Sequence, residues 1–255
     1  MKHFFPILFI CLLYQQSFSQ HKEESGVNLP KFYKSKMHFG FALAYNKTDF
    51  RIHTIKNSAF PDTVIADVKY GIKSIYTKSD PGFALGIISD FRLHEYLRLR
   101  FTPNISFASR NLEYKLQNAN RDSTKFFKKS VESTFIILPL EIKLQSKRLD
   151  NFGAYIILGG GYTLDLVSKK KAVSTGGANQ LDEAILLKRD DFFYSGGAGV
   201  DFYLQYFKLG LELKVLQGTR NLLQRTNNIF SNSIEKVNSK MAIFSITFNL
   251  NPVLS

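Results

Sequence analysis

Three observations together predict an all-β fold: eight stretches of alternating apolar and polar residues, connections that alternate between short and long, and no apolar run long enough for a membrane helix. The expected class is an eight-stranded antiparallel transmembrane β-barrel of the outer-membrane type, with short periplasmic turns and long outer loops. Period-two alternation gives each strand one apolar face. The longest apolar runs, 135–140 and 154–162, fall short of the roughly 18–20 residues that a membrane helix needs. An exported chain of this kind is either soluble or crosses the membrane as a closed barrel, in which every backbone polar group finds a partner.

The first strand sets Met37, Phe39, Phe41, Leu43 and Tyr45 against His38, Gly40, Ala42, Ala44 and Asn46. In the second, Phe83, Leu85, Ile87, Phe91 and Leu93 alternate with Gly82, Ala84, Gly86, Asp90 and Arg92. The third places Leu97, Leu99, Phe101, Ile105 and Phe107 opposite Arg98, Arg100, Thr102, Asn104 and Ser106. The fourth runs Ile136, Leu138, Leu140, Ile142 and Leu144 against Pro139, Glu141 and Lys143, with Phe135 and Ile137 interrupting its polar face. The fifth alternates Phe152, Ala154, Ile156, Leu158, Tyr162, Leu164 and Leu166 with Tyr155, Ile157, Gly159, Gly161, Thr163 and Asp165. In the sixth, Phe192, Tyr194, Ala198, Val200, Phe202 and Leu204 oppose Ser195, Gly197, Gly199 and Asp201. The seventh interleaves Phe207, Leu209, Leu211, Leu213 and Val215 with Lys208, Gly210, Glu212 and Lys214. The eighth sets Ala242, Phe244, Ile246, Phe248 and Leu250 against Ser245, Thr247 and Asn249.

A soluble sandwich also alternates. The strand lengths, at about 10 residues, suit a tilted membrane crossing. The face opposite the apolar one is small, glycine-rich and charged, as a narrow polar lumen would be. The connections near residues 94–95, 146–151 and Gln205 are short, whereas 47–80, 109–130, 168–190 and 218–239 are long and polar. An outer-membrane barrel sorts its loops in this way, and an even strand number leaves both termini in the periplasm. There is no Trp for the aromatic girdles, so Tyr and Phe must supply them. Tyr45, Tyr162, Tyr194, Phe207 and Phe244 are the candidates.

Residues 1–19 have the form of a secretory signal. Lys2 and His3 precede the apolar run 4–14, and Ser17-Phe18-Ser19 offers small residues for cleavage before Gln20. The remainder divides into a flexible lead-in at 20–36, the barrel at 37–250 and a tail at 251–255. The single Cys, Cys11, lies in the signal, and Ile10 before it is not the small residue of a lipoprotein signal. A mature chain without Cys has no disulfide, zinc-thiolate site or cysteine nucleophile. The formal charge of +13 does not point to nucleic acid in an exported chain.

Gly159-Gly160-Gly161 and Gly196-Gly197-Ala198-Gly199 lie inside strands, with no Gly-Lys-Ser/Thr after them. They are read as close-approach sites in a barrel wall rather than phosphate loops. No cofactor or metal is expected. Asp90, Arg92, Arg98, Arg100, Glu141, Lys143, Asp165, Asp201, Lys208, Glu212 and Lys214 all fall on the inward face. An eight-stranded barrel is too narrow for a wide water channel. These charges are therefore expected to pair with one another as a structural lumen network. His21, His38, His53 and His94 are the only histidines after the signal, and none sits in a recognisable triad or metal spacing. No catalytic residue is assigned and no enzyme is expected. Lys125, Lys128, Lys129, Lys169, Lys170, Lys171, Lys188 and Arg189 cluster near outer strand ends, and are read either as solvated basic loops or as contacts for lipopolysaccharide phosphates or an acidic partner.

Several segments carry a family resemblance: DPGFALGIISDFRLHEYLRLRFTPNISFASRNLEY at 80–114, VESTFIILPLEIKLQSKRLDNF at 131–152, DFYLQYFKLGLELK at 201–214, and GTRNLL with SNSIEKVNSK within 218–240. Together they resemble the PorT (SprT) family of outer-membrane barrels of the type IX (Por) secretion system. The resemblance spans about 37–250. It implies a non-enzymatic part in exporting proteases and gliding adhesins, as an accessory or assembly factor beside a larger translocon. Its implied partners are outer-membrane lipid or lipopolysaccharide and other secretion components. The alternatives are a structural or adhesion barrel binding surface ligands through its loops, or a lipid-modifying enzyme.

Overall fold

Alternation builds strands here because each must present apolar side chains to one side only. The computed structural model describes residues 26–29, 32, 35–54, 63–65, 68–118, 124–167, 187–224 and 234–250. The expected signal at 1–19, the start of the lead-in and the tail 251–255 lie outside the described residues. The strands are β1 (Met37–Thr54), β2 (Thr63–Ile65), β3 (Val68–Ser79), β4 (Pro81–Arg92), β5 (Leu97–Phe101), β6 (Asn104–Asn118), β7 (Thr124–Gln145), β8 (Phe152–Asp165), β9 (Asp190–Tyr203), β10 (Phe207–Gly218) and β11 (Ile234–Leu250).

They form an eight-walled antiparallel ring. β3 and β4 are two parts of one wall, interrupted at Asp80 before Pro81. β5 and β6 are likewise one wall, interrupted at residues 102–103, where Pro103 cannot donate to a ladder. β1 pairs β4 on one side and β11 on the other, and β5 to β11 complete the circle. From Tyr45, partners lead through Phe244, Leu213, Ala198, Ile156 and Leu144 to Leu97. In the other direction they lead through Phe83 to Phe107. The two routes meet the third wall at different heights, which is the stagger that tilted, closed strands require.

Turns at residues 93–96, 146–151 and 204–206 lie at the end where β1 begins and β11 finishes, the periplasmic end of such a barrel. Around the ring, Phe41, Leu43, Leu85, Ile87, Ile105, Leu140, Ile142, Ile156, Leu158, Leu213 and Phe244 are exposed on the outer face. They form the apolar band that meets hydrocarbon. Of the girdle candidates, Tyr45, Tyr194 and Phe244 are exposed, and Tyr162 and Phe207 are half-buried on the same face.

Two expectations need correction. Much of 47–80, 109–130 and 218–239 is strand rather than loop: β1 continues to Thr54, β3 starts at Val68, β6 reaches Asn118, β7 starts at Thr124 and β11 at Ile234. These walls stand well above β8, β9 and β10. In addition, part of the stretch read as a flexible lead-in packs under the barrel. Leu29 and Phe32 are buried with Tyr203, and Asn28 donates to the Tyr203 carbonyl at 3.0 Å. Arg148 holds this segment from the 146–151 turn, bonding the Asn28 and Leu29 carbonyls with its guanidinium 4.0 Å from the Tyr203 ring centre.

Candidate functional site: the barrel interior

The inward face of the periplasmic half sets small residues of β1 and β4 against long charged ones of β5, β7 and β10. Gly40, Ala42 and Ala44 of β1, with Ala84 and Gly86 of β4, leave the width that Arg98, Arg100, Lys143, Lys208, Glu212 and Lys214 fill from β5, β7 and β10. Gly199 has the same role within the network. A Cβ there would lie 2.5 Å from the Tyr155 ring, so only glycine lets that ring cross the lumen.

Arg100 is the hub. Its guanidinium grips Asp90 with two bonds, of 2.6 and 2.9 Å, and reaches Glu212 at 2.9 Å. This bidentate geometry is the strong form of a charged hydrogen bond. Tyr155 donates to the same Glu212 oxygen at 2.9 Å. Lys214 bridges Glu212 and Glu141 at 3.3 and 2.9 Å, and Ser195 donates to the other Glu141 oxygen at 2.7 Å. Lys143 and Lys208 share Asp201 at 2.7 and 3.1 Å, and the Lys143 ammonium lies 3.5 Å from the Tyr155 ring centre. Nearest the periplasm, Arg98 meets His38 Nδ1 at 2.9 Å. The His38 ring stacks on Phe32 of the N-terminal segment, with centres 3.8 Å apart.

Of the predicted lumen charges, Asp90, Arg98, Arg100, Glu141, Lys143, Asp201, Lys208, Glu212 and Lys214 meet in this network, all buried. Arg92 lies half-exposed at the periplasmic rim. Asp165 is buried but belongs to a separate cluster near the outer end. There Arg110 donates to Ser133 at 2.7 Å and to Asp165 at 3.1 Å. Its guanidinium lies between the Phe50 and Phe135 rings, 4.3 and 4.8 Å from their centres. Arg110 escapes sequence reading because it falls in a stretch read as loop. Tyr155 is visible on the inward face, but nothing in the sequence marks it as a crossing side chain.

Above the charges the interior becomes apolar, contrary to the expectation of a polar lumen throughout. Ala108, Phe135, Ile137, Phe193, Leu216, Met241 and Ile243 form one buried layer. Phe50, Leu112, Tyr114, Leu116, Ile234 and Val237 form another, capped by Leu187, Leu222 and Leu223 from the outer connections. Asn221 holds that cap, accepting from the Leu223 and Val237 amides. Burial there pushes the Tyr114 phenol above its ordinary pKa. Of the basic loop candidates, Lys125, Lys128 and Lys188 are exposed and Arg189 is half-buried. The side chain of Lys129 and all of 169–171 lie outside the described residues.

Among the described residues, no group of three or more His, Cys, Asp or Glu is placed to hold a metal. His53 and His94 are exposed at opposite ends of the barrel, whereas His38 is buried. Gly159 to Gly161 run inside β8 against β7 and β9, where an extended ladder leaves no loop to cradle a phosphate.

A closed antiparallel ring with an apolar outer belt, short turns at one end and a filled lumen defines an outer-membrane β-barrel. The family model described as outer membrane protein beta-barrel domain matches residues 16–224, and the chain belongs to that family. Among solved structures, the chain is similar to the outer membrane protein OprG from Pseudomonas aeruginosa, at 13% identity and TM-score 0.41, covering 84% of this chain and 93% of that one. Neisserial surface protein A is similar at 12% identity and TM-score 0.38, over 84% and 96% of the two chains. Ail of Yersinia pestis is similar at 12% identity and TM-score 0.36, over 85% and 100%. No curated protein matches the chain in sequence.

Proposed function

We propose that this barrel is an outer-membrane component of type IX (Por) protein secretion, acting as an accessory or assembly factor and not as the conduit for cargo. The observation that carries the second half is the filled interior: the Arg100 and Asp201 networks below, the apolar layers above, and Phe32 beneath His38 at the periplasmic mouth. The first half rests on the resemblance of 80–114, 131–152, 201–214 and the segments within 218–240. In this reading the signal peptide is removed after about Ser19, the belt sits in outer-membrane lipid, and other secretion components are its partners. It assigns no catalytic residue.

Deletion of the gene with localisation of secreted cargo tests it. Cargo should accumulate inside the cell and fail to reach the medium or the surface. Normal cargo delivery overturns the reading. Lost surface binding with normal delivery would support an adhesion barrel instead, and a changed lipid A profile a lipid-modifying enzyme.

A further inference from the structure

The outer face of β1 and β11 changes character in one step. Tyr45 and Phe244 lie opposite each other and exposed, at the top of the apolar belt. The next outward pairs above them are Lys47 with Ala242, Asp49 with Lys240, and Arg51 with Asn238. Lys47, Arg51 and Lys240 are exposed, and Lys47 and Lys240 stand well below the strand ends at Thr54 and Ile234. Lys240 is the diagonal neighbour of both Lys47 and Arg51, about 7–8 Å away across the ladder. Three long side chains therefore reach one common point. None of them forms an ion pair among the described residues. Asp49, the acid between them, accepts from the Phe50 amide at 2.8 Å. The wall between the cations is shallow: Ala242 is small, and Asn238 is buried with its side-chain amide donating to the Arg220 carbonyl at 2.9 Å.

Other walls differ just above the belt. From Tyr45 the row of partners runs through Phe83 and Phe107 to Thr134, and the next outward pair on those last two strands is Ser109 with Glu132. Beyond the end of β10, Arg220 is already paired with Asp190. We propose that β1 and β11 seat one outer-leaflet lipid with a phosphorylated headgroup, its phosphate held by Lys47, Arg51 and Lys240 and its acyl chains lying along Leu43, Tyr45 and Phe244. Phosphate oxygens accept charge-assisted bonds from Lys and Arg, and cations at the rim of a hydrocarbon belt meet the lipid headgroups. In the outer leaflet of an outer membrane that lipid is lipopolysaccharide, whose lipid A carries the phosphates. The site rests on the placement of the belt in an outer membrane and not on the secretion reading, so the two fail separately.

The mature chain, refolded in detergent micelles, tests it by native mass spectrometry with bisphosphorylated lipid A, with the same lipid dephosphorylated, and with inorganic phosphate as competitor. The phosphorylated lipid should be retained about tenfold or more tighter than the dephosphorylated one, as several cations at a lipid surface require. The exposed variant K47Q/R51Q/K240Q, checked for folding by gel mobility, should bring the two lipids level. K125Q/K128Q removes exposed cations elsewhere at the outer end and should leave the preference in place. Inorganic phosphate should not displace the lipid, because it lacks the chains that lie on the belt. The proposal is overturned by equal retention of the two lipids on the wild-type barrel, or by a preference that survives K47Q/R51Q/K240Q. Loss of the preference in K125Q/K128Q, or displacement by inorganic phosphate alone, overturns it as well.

Discussion

The two halves of the barrel interior obey opposite rules. In the periplasmic half, β1 turns Phe41 and Leu43 outward and Gly40, Ala42 and Asn46 inward. Eight residues beyond Leu43 the polarity of the same strand has inverted, with Arg51 outside and Phe50 in the core. β6 does the same: Ile105 and Phe107 are outside at its start, while further on Leu112, Tyr114 and Leu116 are inside with Glu113 and Lys115 opposite. The surrounding solvent explains the inversion. Where the outer face meets hydrocarbon, the polar residues go in and must pair. Where it meets water, the apolar residues go in, as in a soluble sheet protein. One continuous strand is thus a membrane strand below and a water-soluble strand above.

The comparison can be broken by removing one member from each half. Arg100→Met strands Asp90, whose one ion pair among the described residues is to Arg100, and takes one cation from Glu212. Loss of one side of a buried pair costs about 3–5 kcal/mol, and the urea midpoint of the folded barrel in micelles should fall accordingly. The double variant R100M/D90L should recover much of that loss, because Glu212 keeps Lys214. Failure to recover would mean that the pair itself, rather than its imbalance, holds the lower half. In the upper half, Leu112→Ala should cost about 2–4 kcal/mol by leaving a cavity. Its signature is local: amide exchange should rise around Leu187 and Leu222 while the lower ladder stays protected.

Lys143→Met is predicted to cost less than Arg100→Met, about 2 kcal/mol, since Asp201 retains Lys208 and part of its hydrogen bonding. Tyr155→Phe should be smallest, about 1 kcal/mol for the one hydrogen bond to Glu212. Thermal unfolding read by mobility on unboiled gels ranks all four. An order with Leu112→Ala above Arg100→Met would show that the upper core dominates stability.

The lower half was legible in the sequence for a physical reason. A strand between hydrocarbon and a narrow lumen has a strict period of two, so the faces of Arg100, Glu141 and Lys214 follow from parity alone. The upper half was not, because the pattern inverts without a turn residue to announce it. At Asn46 to Phe50 the polar side changes from inside to outside, and a window across that point reads as polar loop. Arg110 was lost in the same way. Phe135 and Ile137, which interrupt the inward polar face of β7, were the visible trace of the apolar layer. The packing of Phe32 on His38 had no sequence signal, because Phe32 lies in a polar lead-in with no period to reveal it.

The central claim is that this interior is a packed core and not a path. The most direct measurement is single-channel recording of the refolded mature chain in a planar lipid bilayer. The account predicts no sustained conductance steps for the wild-type barrel across ordinary voltages. Steady, reproducible ion-conducting steps from the wild-type protein would contradict it.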